Sequence, residues 1–157
     1  MNLLPNHTLG IMNLWWYPLI YGLVTLLVMR RMPKDQKKKI LSFPKSVSGL
    51  ASFIFGKALI LYSLFIPVKL LTPNFIVGTV VYLIGLVLSV YSMWTFSKAD
   101  LNQPVTHGIY KVSRHPMQVM SFVMWFGIGI VSGGWVMILC VLLFTIISYP
   151  SDRKSVV

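Results

Sequence analysis

Between two long apolar stretches lies the segment PVTHGIYKVSRHPMQ, Pro104 to Gln118, which gathers polar side chains of several chemical types. It holds His107 and His115, two of the three histidines, with Gly108, Tyr110 and an Arg114-His115-Pro116 tripeptide. Arg114 can meet a carboxylate through two parallel hydrogen bonds, and His115 can donate or accept. Tyr110 offers a hydroxyl and an aromatic face that attracts cations. Gly108 permits a tight turn or a close backbone approach to a ligand. Pro104 and Pro116 restrict the backbone, and Pro116 suits the first turn of a helix. The free N–H groups of such a turn can receive a carboxylate. These groups together suit a small zwitterion with one carboxylate and one cationic centre. Taken singly, Arg114 and His115 read more readily as interfacial residues that cap a helix and touch lipid phosphate. Their occurrence with Gly, Tyr and Pro favours a binding site.

The elements that must position this island are apolar. The chain is 56% hydrophobic and 11% charged, against about 25% charged in soluble domains, with a mean hydropathy of +0.76. That balance predicts an all-α, polytopic membrane protein forming one integral membrane domain over residues 1–157. Tracts at 11–29, 50–71 and 75–96 are each long enough to cross a hydrocarbon core of ~30 Å. The tract at 119–149 is too long for one crossing, and Ser132-Gly133-Gly134 divides it with a turn signal. The reading is therefore five transmembrane helices, the last two, 117–131 and 135–149, forming a tight hairpin. Residues 97–118 form the motif loop before it.

Net charge is +11, from fourteen Lys and Arg against three Asp and no Glu. Twelve of the fourteen basic residues fall between the first and second tracts, between the third and fourth, or in the tail, and Lys69 lies on the opposite side. The positive-inside rule then places the motif loop and the C-terminus in the cytoplasm and the N-terminus outside. Trp15, Trp16 and Tyr17 fall near the outer interface, and Pro33 with the lysines after it forms a solvated basic loop. The charge has a topological explanation, so nucleic acid is not an expected partner, whereas membrane lipids are. Lys57 lies inside the second tract, where it either snorkels to the interface or lines a cavity. Gly78, Gly85, Gly127 and Gly129 suit close helix packing. The lone Cys140 forms no internal disulfide. No Cys-His or carboxylate cluster supports a metal site, and no Asp lies within a tract to couple protons in a transporter.

Gly108-Ile-Tyr110-x-x-x-Arg114-His115-Pro116 resembles the Gly-x-Tyr-x-x-x-Arg-His-Pro signature of the isoprenylcysteine carboxyl methyltransferase family. Related signatures occur in phospholipid methyltransferases and membrane sterol reductases. Pro104-Val105-Thr106 resembles the family's Leu-Val-Thr lead-in, and the apolar hairpin that follows also fits. The resemblance covers about residues 75 to 149. It implies S-adenosylmethionine as cofactor and methyl transfer to a lipophilic acceptor that enters from the bilayer. By position it implies a cofactor pocket of Pro104, Val105, Tyr110, Arg114, His115, Pro116, Met117 and Gln118. It assigns no catalytic residue.

The sulfonium methyl of that cofactor is already activated, so the protein's task is proximity and orientation. A carboxylate acceptor needs no general base, whereas an amine must lose a proton, and bases are few: His107, His115 and Asp100. That asymmetry favours a carboxylate or thiolate acceptor, and the resemblance implies carboxyl methylation of the isoprenylcysteine type. Two departures accompany the resemblance. Gln118 and Met120 stand where the family usually has Tyr and Gly. The family's Glu-Glu pair beyond the hairpin has no counterpart in a chain without Glu. The alternative expectation is an impaired or truncated relative that binds cofactor or lipid without turnover.

Overall fold

The computed structural model describes residues 10–41, 47–99, 108–111 and 116–153, and every regular element among them is helical. The order is α1 (Trp16–Arg30), α2 (Lys34–Leu41), α3 (Val47–Ser63), α4 (Pro73–Ser97), a 3-10 turn (Gly108–Lys111), α5 (Pro116–Ser132) and α6 (Trp135–Arg153). Pro104, Val105, Arg114 and His115 lie outside the described residues.

The centre of the molecule is the antiparallel pair α4 and α5. Thr72 caps α4, accepting a hydrogen bond from the Phe75 N–H at 3.2 Å, with Pro73 in the first turn. With 25 residues, α4 spans about 37 Å, and it alone among the described helices is long and apolar enough to cross a membrane. Three glycines let α5 lie against it. A Cβ on Gly78 would fall 2.7 Å from the Gly127 carbonyl oxygen, and one on Gly127 would fall 2.6 Å from the Tyr82 nitrogen. A Cβ on Gly85 would fall 2.7 Å from Met124 Cγ. Gly129 instead faces α6, where its Cβ would meet Ile138 at 3.2 Å.

The other helices lean on this pair. Tyr17 of α1 stands edge-on to Tyr82 at 4.8 Å between centroids. Its hydroxyl lies 2.7 Å from Thr79 Oγ1, and Tyr82 Oη donates to the Tyr17 carbonyl at 2.7 Å. Tyr17 is therefore buried in the bundle, whereas Trp16 is exposed and stacks on Trp15 at 4.2 Å. Helix α3 packs on α6 through Phe55 and Phe144, stacked at 5.9 Å, and α5 meets the same ring through Phe122 at 5.5 Å. Outward faces are apolar: Leu23, Leu27, Ile84, Val87, Leu143 and Ile146 are all exposed.

Four features differ from the sequence expectation. The first helix begins at Trp16, not Ile11, because residues 11–15 form turns in which the Tyr17 N–H donates to the Leu14 carbonyl. The second ends at Ser63, not Leu71. Pro67 has no N–H for a helical bond; it forms an antiparallel bridge with Asn13, and Leu71 takes a left-handed φ of 62°. The basic segment after Pro33 is helix α2, not a loop: the Lys37 N–H donates to the Pro33 carbonyl, and Lys34 and Lys38 face outward. The 119–149 tract is divided by a turn in which Gly133 has φ 63° and the Gly134 N–H donates to Ser132 Oγ at 3.2 Å. Its two arms, at 17 and 19 residues, are longer than expected.

Candidate functional site

The α4–α5 seam fixes what meets at the motif end of the pair. Gly78 faces Gly127 and Val131, and Gly85 faces Met120 and Met124. Continuing that antiparallel register sets Ser89 opposite the first turn of α5, which begins at Pro116. Pro116 itself is fully buried, and Met117 and Gln118 are half-buried beside it.

The Gly108–Lys111 turn docks on the same end of α4. Gly108 has φ 63°, and a Cβ there would fall 3.3 Å from Thr95 Cγ2 and 3.5 Å from the Tyr91 hydroxyl. A side chain is disfavoured at this position by backbone conformation as well as by space. Tyr110 is partly buried in consequence, and loss of hydration pushes its phenol up to about 12. It remains a neutral hydroxyl across the physiological range. On the other flank, α2 reaches the chain leaving α4 through Gln36 Nε2, which donates to the Ala99 carbonyl at 3.3 Å. Of the eight sequence-assigned pocket residues, Tyr110, Pro116, Met117 and Gln118 are therefore described, and all four sit at this one end of the α4–α5 pair.

Ser89 was not singled out by sequence reasoning. Its hydroxyl is buried and has no hydrogen-bond partner among the described residues. The contrast with its neighbours is clear. Ser92 donates to the Leu88 carbonyl at 2.8 Å, Thr95 to Tyr91 at 2.9 Å, and Ser121 to Met117 at 2.8 Å. Back-bonding of this kind is how hydroxyls are satisfied inside apolar helices. An unpaired buried hydroxyl costs about 1–3 kcal/mol, and a group seated at the start of α5 would relieve that cost. The available signal was the spacing of Ser89, Ser92 and Thr95, three apart on one side of an otherwise apolar helix.

The described residues fit a small zwitterionic cofactor in chemistry. Tyr110 supplies an aromatic face and a neutral hydroxyl, Gln118 an amide, the first turn of α5 free N–H groups, and Ser89 an unused hydroxyl. The phospholipid methyltransferase family model matches residues 73–151, just over half of the chain, from the start of α4 to near the end of α6. No curated protein and no solved structure matches the chain.

Proposed function

Because the chain belongs to the phospholipid methyltransferase family, a family of S-adenosylmethionine-dependent membrane methyltransferases, we propose that it transfers a methyl group to a lipophilic acceptor at the cytoplasmic face of a membrane. The observation that carries this reading is the junction of three elements inside the matched region. The Gly108 turn docks on the end of α4, and Pro116 opens α5 against that same end.

Bound there, S-adenosylmethionine supplies an activated methyl on a sulfonium centre. Tyr110, Pro116, Met117 and Gln118 would line its pocket, with Pro104, Val105, Arg114 and His115 completing it. The chain's own work is to hold cofactor and acceptor in line and to keep water out. We take the acceptor to be a carboxylate of the isoprenylcysteine type, since it is already anionic and needs no general base. Five crossings, with the N-terminus outside, put the basic ends of α1 and α2 in the cytoplasm beside the motif. Membrane lipids are the surrounding partners, and nucleic acid is not one.

The chain has no Glu, which favours a second reading, a relative that binds the cofactor or a lipid without turnover. One experiment separates the readings. Purified full chain in lipid nanodiscs is titrated with S-adenosylmethionine, then offered the methyl-labelled cofactor with a prenylcysteine carboxylate or with phosphatidylethanolamine. Label in a base-labile ester of the prenylcysteine supports carboxyl methylation. Label in phosphatidylethanolamine moves the acceptor to an amine. Binding without label in either favours the second reading, and absence of binding overturns both.

A further inference from the structure

A second place in the molecule is built to hold a ligand, and it lies away from the motif. Between α1 and α3 there is a cleft of about 500 Å³ whose walls include Tyr21, Gly22, Phe53, Gly56, Lys57 and Trp125. That volume falls within the roughly 300–1,000 Å³ of small-molecule sites. Along α5, Trp125 is nine residues from Pro116, about 14 Å at 1.5 Å per residue.

The cleft follows from how the two helices are tethered. At the end of the bundle away from the motif they are pinned together. The Leu14 N–H donates to the Ile66 carbonyl at 2.9 Å and the Val68 N–H to the Met12 carbonyl at 2.9 Å, while Asn13 Nδ2 donates to the Leu64 carbonyl. Beyond the pin, α1 leans on α4 through Tyr17, and α3 leans on α6 through Phe55. The helices separate, and Tyr82, Met124 and Ile128 of the central pair floor the gap. Two glycines keep it open. A Cβ on Gly22 would meet nothing within 4 Å, and one on Gly56 would meet only the Phe144 ring, at 3.9 Å.

The walls are apolar and aromatic, and Lys57 brings a cation to them. Its ammonium sits 5.3 Å from the centre of the Phe53 ring, one helical turn nearer the motif end. The four helices around the cleft, α1, α3, α4 and α5, contain no Asp or Glu. Lys57 is exposed at the rim of the cleft, where an anionic head can reach it, and these helices supply no carboxylate of their own. The remaining wall runs from Phe53 to Ile60 on α3, about 10 Å of apolar length.

We propose that this cleft binds a single-chain anionic amphiphile, its carboxylate or phosphate on the Lys57 ammonium and its hydrocarbon tail lying past Phe53 and Trp125 toward Tyr21. The volume accommodates one chain, and charge complementarity selects an anionic head over a neutral one. The site does not depend on methyl transfer, because it shares no residue with the motif pocket.

Bromine quenches tryptophan fluorescence on contact, and Trp125 lines the cleft. Purified full chain in phosphatidylcholine nanodiscs is titrated with dibromostearate, brominated lysophosphatidic acid and the brominated C18 alcohol. The expected result is saturable quenching by an anionic probe, lost in Trp125→Phe, with the alcohol weaker by about tenfold, the scale of one charge-assisted hydrogen bond. Lys57→Gln brings the anion down to the affinity of the alcohol, and Lys57→Arg, which keeps the charge, retains it. Gly22→Phe fills the gap and abolishes saturable quenching. Binding of dibromostearate alone assigns a free fatty acid, and binding of lysophosphatidic acid as well assigns a lipid headgroup. Equal quenching by acid and alcohol in the wild type overturns the proposal, as does a wild-type titration in Lys57→Gln or Gly22→Phe.

Discussion

Ser89 and Tyr110 are motif-end residues whose burial has measurable consequences. The Ser89 hydroxyl is buried without a partner among the described residues, so removing it relieves a desolvation cost of about 1–3 kcal/mol. Ser89→Ala is expected to unfold at an equal or higher temperature while its affinity for S-adenosylmethionine falls severalfold, read by thermal unfolding and calorimetric titration of the same preparation. A lower unfolding temperature with unchanged affinity would make the hydroxyl purely structural. Tyr110 responds to pH instead. Its phenol lies above the usual 10.0, at about 12, because burial penalises the phenolate. The folded state therefore holds this proton more tightly than the unfolded chain. Its contribution to stability is complete below pH 10 and declines as pH rises through 12. The phenolate absorbance of wild type minus Tyr110→Phe should rise near pH 12, and Tyr110→Phe should lose less stability over that interval. A difference spectrum rising at pH 10 would show the ring in water.

Among the elements, the α4–α5 seam carries the strictest requirement. Gly78, Gly85 and Gly127 face backbone atoms or tightly held side chains across it, and α5 can only reach its register if all three lack a Cβ. Gly127→Ala would push against the Tyr82 backbone, which cannot swing aside, so a loss of at least the ~1–3 kcal/mol typical of overpacking is expected. Gly22→Ala meets open space and should change stability by no more than ~0.5 kcal/mol. Paired chemical or thermal denaturation in one detergent checks the contrast; equal losses would show that the register is set elsewhere. Because the seam also sets Ser89 opposite the first turn of α5, Gly127→Ala should weaken cofactor binding from a distance.

For the whole molecule, the distribution of basic residues sets the orientation expected in a membrane. Arg30, Arg31, Lys34, Lys37 and Lys38 cluster at the motif end, where Gln36 ties α2 to Ala99. An odd number of crossings with that end in the cytoplasm predicts opposite labelling of the two ends. In a Cys140→Ser background, Lys38→Cys should react with a membrane-impermeant thiol reagent from the cytoplasmic side of sealed vesicles, and Leu71→Cys from the other. Labelling of both from one side would refute the arrangement. Both positions are exposed, so reactivity reports sidedness rather than burial.

The sequence alone determined the helical class, the turn at Ser132–Gly134 and the island that resembles a methyltransferase signature. Each is written locally: in apolar runs, in a Gly-Gly break, and in fixed spacing between Gly108, Tyr110 and Arg114. It could not say which side of each helix faces inward. In a chain whose outward residues are as apolar as its core, no polar stripe marks the buried face. Only the tertiary structure decided that Tyr17 turns in rather than toward an interface, that Gly127 meets Tyr82 while Gly129 meets Ile138, and that α1 and α3 part beyond their pin. Helix α2 is not legible in the sequence, because its lysines have the composition of a loop and only the fold half-buries Gln36 and Ile40. The cleft around Lys57 exists only as a relation between helices distant in the chain, and such a relation is not encoded in any local pattern.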